Sequence, residues 1–141
     1  MFTLLRALAV MGGILALSSA VKADTNLNTP RVSFSFHPTE RVADFPEVAF
    51  HVGLCRVHDA RVTIRSDGSV SWEAIVSTRE GRAVFGTRLN FVDHLGNVFK
   101  FTFIRVDVGP ARVTWERHNL GIPKHLFNSI VSVFRNDHCD D

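Results

Sequence analysis

Seven histidines in a chain of 141 residues make metal ligation the first chemistry to weigh. A zinc site needs three or four nitrogen, sulfur or carboxylate ligands within tetrahedral reach, and no compact metal spacing occurs. His51 and His58 stand seven positions apart, Asp59 adjoins His58, and His118 follows much later. A site built from His51, His58 and His118 is sterically conceivable, set against the ordinary alternative of surface or hydrogen-bonded structural histidines. His51 is out of phase with Phe50, Val52 and Leu54, so it is expected to face away from their apolar side.

Other chemistry is sparsely represented. Neither G-x-S-x-G nor H-E-x-x-H is present, and no phosphate-cradling glycine loop occurs. Asp44 and Glu47 flank Pro46 and could form an acid–base pair, although carboxylates in a polar loop are usually just solvated. Asp137, Asp140 and Asp141 match no calcium-loop spacing. Arg61 and Arg65 alternate with Val62 and Ile64. The two arginines therefore share the wet face of a strand and are the candidate ligand-binding residues, for an anionic partner. Arg105 continues the parity of Phe99, Phe101 and Phe103, and marks either the end of a buried face or a paired interior charge.

The segment that precedes this chemistry is expected to be removed. Arg6, an uncharged apolar run over Ala7–Leu17 and small residues up to Val21-Lys22-Ala23 read as a signal peptide over residues 1–23. That run is shorter than the roughly 20 apolar residues of a membrane-spanning helix, and no later run is longer. The protein is accordingly expected to be secreted or periplasmic, with no membrane span. The whole chain has 16 Lys+Arg against 14 Asp+Glu, but Arg6 and Lys22 lie in the signal, so residues 24–141 balance at 14 against 14. The apparent basic excess is a processing effect, and a nucleic-acid partner is not expected.

An exported chain with two cysteines, Cys55 and Cys139, reads most simply as one with a disulfide. Two free thiols or a metal pair are the alternatives. The bond would close a loop of about 85 residues, and the chain-entropy account gives it roughly 4–5 kcal/mol. It would tie the C-terminal tail to the end of an early strand and leave no thiol for nucleophilic catalysis.

The elements that would position these residues are strands. Residues 24–30 read as a loose leader to a single domain over residues 24–141. From Val32 onward, apolar residues recur at period two: Phe50/Val52/Leu54, Val70/Trp72/Ala74/Val76, Phe85 to Phe91, Phe99/Phe101/Phe103 and Val113/Trp115. Twelve phenylalanines and two tryptophans supply a core. Parity settles two turns. A three-residue Ser66-Asp67-Gly68 loop pairs Ile64 with Val70 and Val62 with Trp72, whereas a two-residue loop would put the two apolar sets on opposite faces. Aligning Phe91 with Phe99 likewise leaves His94-Leu95-Gly96 as the loop. Residues 61–118 are expected to form a five-strand meander, preceded by strands over 31–36 and 48–54. A last strand over Ile130 to Arg135 is expected to lead to Cys139, although Leu126, Phe127, Ile130, Val131 and Phe134 would also suit a helix face. The fold class expected is all-β: an antiparallel seven- to eight-strand β-sandwich or small barrel, with at most one short helical turn near residues 123–129.

Gly53-Leu54-Cys55, Ser66-Asp67-Gly68 with Trp72, and then Gly121, Pro123, Leu126, Phe127, Ile130, Ser132-Val133 and Cys139 give the chain a resemblance to a family of small secreted bacterial β-domain proteins of unknown function. The resemblance spans residues 53–139. It implies a secreted β-domain with that disulfide and carries over no functional residue. The functional expectation is a non-catalytic module binding a protein, glycan or small ligand, with no cofactor. A small metal-assisted hydrolase and a secreted toxin or inhibitor are the alternatives.

Overall fold

The computed structural model describes residues 26–46 and 50–140; the expected signal peptide over 1–23 lies outside them. Among the described residues the chain is all-β, as the alternation predicts. It has eleven strands: β1 (Asn26–Asn28), β2 (Val32–Ser33), β3 (Ser35–Phe36), β4 (Glu40–Asp44), β5 (Phe50–Val52), β6 (Cys55–Arg65), β7 (Ser69–Thr78), β8 (Ala83–Asp93), β9 (Val98–Val108), β10 (Val113–Gly121) and β11 (Ile130–Asp140). A single 3-10 turn over Lys124–Leu126 follows Pro123, inside the stretch where one helical turn was expected. The last strand expected over Ile130 to Arg135 is present and runs on to Asp140, and the competing helix is not formed. The count exceeds seven or eight because the first five strands are short.

The strands form two antiparallel sheets packed as a sandwich, not closed into a barrel. Sheet I runs β1-β11-β8-β9 with β2 against β11; sheet II runs β10-β7-β6-β4-β3 with β5 against β6. The expected meander over 61–118 is corrected by this order. The β6–β7 hairpin belongs to sheet II and the β8–β9 hairpin to sheet I, while β10 returns to pair with β7. A hairpin with one apolar face covers that face sooner by folding over a second hairpin than by extending the same sheet. The two crossings are held together where the Thr78 amide donates to the Gly109 carbonyl at 2.9 Å.

Both turns read by parity are as expected. Val62 faces Trp72, Ile64 faces Val70, and Phe91 faces Phe99. Gly68 and Gly96 take φ of +87° and +85°, the left-handed conformation that closes a three-residue loop. Asp93 holds the second turn by accepting from the Leu95 and Asn97 amides at 3.0 and 2.8 Å and from Asn97 Nδ2 at 3.0 Å. The Asn97 bonds lower its carboxyl pKa below the usual range. Gly68 is also packed: a Cβ there would lie 2.5 Å from the Ile122 carbonyl oxygen. Gly68→Ala is therefore expected to cost about 1–3 kcal/mol in chemical denaturation. Gly96→Ala, left-handed but with nothing within 4 Å, should cost less.

The core lies between the sheets. Trp72 of sheet II stacks on Phe85 of sheet I with centroids 6.4 Å apart, and Ile64, Val70, Val76, Leu89 and Phe91 are fully buried around them. Cys55 and Cys139 form the expected disulfide, with Cα atoms 6.0 Å apart. Cys55 begins β6 instead of ending an early strand, because Gly53 (φ +53°) and Leu54 turn the chain between Val52 and its partner Cys55. The bond therefore joins the two sheets. The segment read as a leader contributes β1, whose Asn26–Asn28 pair with His138–Asn136 of β11.

Four register shifts alter which side chains face inward. In β6, β9, β10 and β11 an extra residue lies near positions 59, 101, 118 and 131, opposite a strand that continues unbroken. A bulge of this kind reverses side-chain parity beyond it. Phe101 packs inward on Phe91 with centroids 5.4 Å apart. Beyond the bulge, Ile104, Val106 and Val108 are buried, while Phe103 is 37% exposed. The Phe99/Phe101/Phe103 stripe is thus not one face, and Arg105 is exposed beside Phe103.

Candidate functional site

The candidates singled out in the sequence lie mostly on sheet II. Arg61 and Arg65 point outward as expected, but both have partners. Arg61 Nε donates to Asp44 Oδ1 at 2.6 Å, with Glu73 Oε1 at 3.9 Å from Nη1. Arg65 Nη1 donates to Ser71 Oγ at 2.9 Å, and Arg65 faces Glu40 across the register. Glu116, opposite Glu73, adds another carboxylate. This face is balanced by its own acids, and neither arginine stands beside Arg88, which is on the other sheet.

The three candidate histidines do not assemble. His51 and His58 are close enough to interact, whereas His118 bonds Ser71 Oγ and Glu116 Oε2, each at 3.2 Å. Ser71 lies four residues along β7 from Ile75, the partner of His58, a separation of about 13 Å at strand rise. Partial burial, then Arg112 and His51, push the His58 pKa down against the opposing pull of Asp59. Among the described residues no three His, Cys, Asp or Glu side chains are placed to share a metal ion.

The outer face of sheet I presents a different chemistry. The register sets its outward side chains in rows across the strands. Asn28, Asn136, Arg88 and Phe103 make one row, and Phe134, Asn90 and Lys100 make the next. Together with Asn26, Val98 and His138 they line an open groove of about 540 Å³. Phe103 faces outward only because of the β9 bulge. It lies down in the groove because Gly86, diagonally across on β8 and paired with Arg105, has no side chain: a Cβ there would run into the Phe103 ring. Arg88 sits over that ring at 5.8 Å, and Arg31 over Phe134 at 5.7 Å.

Asn136 Nδ2 donates to Asn28 Oδ1 at 2.8 Å. That orients both amides and leaves Asn136 Oδ1 and Asn28 Nδ2 for a ligand. Asn90 is almost fully buried and is tied to the Arg88 and Phe134 carbonyls, so it forms the floor. No carboxylate among the described residues lines the groove; Asp140 stands at its end, 2.7 Å from His138. Among the described residues, carboxylates therefore surround Arg61 and Arg65 on sheet II, whereas Arg88 and Lys100 in the sheet I groove have no carboxylate partner.

Sequence reasoning missed this face. Its residues were scattered polar and apolar positions on separate strands, and only the order β1-β11-β8-β9 makes them neighbours. No helix among the described residues is long and apolar enough to cross a membrane. No protein-family model matches the chain, and no curated protein matches it either.

Proposed function

We propose that this chain is an exported, non-catalytic binding module whose working surface is the sheet I groove, and that its ligand is an anionic glycan. One observation carries the reading: among the described residues the groove is lined by paired amides, two phenyl rings and two unpaired cations, with no carboxylate. Amides offer donors and acceptors to adjacent hydroxyls. Phenyl faces pack against the C–H surfaces of a sugar ring, and Arg88 presents the fork that suits a carboxylate or sulfate. The signal-like segment, the resemblance to small secreted β-domains and the disulfide support export.

The test is calorimetric titration of the exported protein with an oligouronide, a neutral oligosaccharide of equal length and a polyuridylate of equal charge. The oligouronide should bind best, in a salt-dependent manner. Arg88→Gln and Lys100→Gln should each weaken it about tenfold, the worth of one charge-assisted hydrogen bond. Arg61→Gln should leave it unchanged. Tighter binding of the polyuridylate, or indifference to both groove substitutions, would reject the glycan reading.

A further inference from the structure

We infer that a second site, independent of the groove, lies between the sheets: a cavity over Arg135 that takes a small uncharged molecule with an apolar body and one hydrogen-bond-accepting oxygen, such as a ketone, ester or amide. The cavity holds about 200 Å³ and is walled by Pro30, Phe45, Phe50, Val57 and Ala60, with Arg135 at its base and Asp59 on its rim. That volume is worth roughly seven waters, the size of a six-membered ring with one substituent.

Arg135 is the reason to expect a ligand of this kind. It is 2% exposed. Its Nε and Nη2 donate to Asp137 Oδ1 and Oδ2 at 3.2 and 2.7 Å, and Asp137 also accepts from Thr87 Oγ1 at 2.7 Å. Among the described residues Nη1 has no hydrogen-bond partner. The Phe45 ring lies 4.4 Å from the guanidinium carbon and the Phe50 ring 6.0 Å. A phenyl ring attracts the cation but supplies no lone pair, so the free Nη1 donor still needs an acceptor.

The charge of Arg135 is already balanced by Asp137, and Asp59 at the rim opposes a second anion. The unmet requirement is therefore for a neutral acceptor inside an apolar wall. Arg135 and Asp137 do not touch the sheet I groove, because they share the inward parity of Val133 and Cys139 on β11.

The probe is cyclohexanone, compared with methylenecyclohexane, which has the same shape without the oxygen, and with cyclohexanecarboxylate. The readout is the NMR resonances of the Arg135 guanidinium and the Phe45 and Phe50 rings in the exported protein. Cyclohexanone should shift them saturably, methylenecyclohexane should bind about fivefold more weakly for want of one hydrogen bond, and the carboxylate should be excluded. Ala60→Leu, which fills the cavity, should abolish the shifts while leaving oligouronide binding intact; Val57→Leu serves if that variant does not fold. No saturable shift up to the solubility limit would overturn the site and leave trapped water as the partner of Nη1. Equal binding of the hydrocarbon, or preference for the carboxylate, would also overturn it.

Discussion

Asp137→Ala is expected to lower stability by about 3–5 kcal/mol, read as a drop in the urea midpoint at unchanged slope. The carboxylate is fully buried and is the only hydrogen-bonding partner of the Arg135 side chain among the described residues. Its removal leaves a guanidinium in the core with no anion and no water shell, and Thr87 loses its acceptor as well. The size of the loss comes from the stranded charge and not from the worth of the pair. The double substitution Arg135→Met with Asp137→Leu should therefore recover most of it, since apolar side chains of similar volume replace a buried pair at little or no cost. A double variant as unstable as the single one would mean that the pair itself, and not the orphaned charge, carries the effect.

Breaking the disulfide should cost a comparable amount. Cys55→Ala with Cys139→Ala is expected to remove about 2–5 kcal/mol, measured by thermal and chemical denaturation. The two cysteines are 84 positions apart and join sheet II to the end of β11 in sheet I. Without the bond the unfolded chain regains a long loop's freedom, and the end of β11 has only its ladders to hold it. Asn26–Asn28 pairs with that same end, so β1 and residues 136–140 should lose amide-exchange protection ahead of the Trp72–Phe85 core. Uniform loss of protection would show instead that the bond stabilises the molecule only globally.

The local organisation was legible because it depends on neighbours in the chain. Alternation over Ser69–Thr78 and Ala83–Asp93 demands strands, and the Gly68 and Gly96 turns follow from the parity of the apolar residues on either side. The buried ion pair had a signal that went unread. A disulfide at Cys139 places Asp137, Arg135 and Val133 on the same inward face, two residues apart at each step. The competing helical reading of Leu126 to Phe134 hid it, although the bulge near Val131 explains why those apolar residues fit neither period cleanly.

The sequence by itself determined the all-β character, the two hairpin registers and the cysteine pair, because period two, turn chemistry and thiol count are properties of short stretches or of composition. Only the tertiary structure decided which hairpin belongs to which sheet, where the four bulges reverse parity, and therefore that Phe103 faces the groove while Arg135 and Asp137 face the core. It also decided that Arg61 lies among carboxylates on sheet II, while Arg88 and Lys100 line a sheet I groove that holds none among the described residues. The reason is physical: a strand's alternation says that one face is buried, but which face, and against what, is fixed only when the two sheets close over a common core.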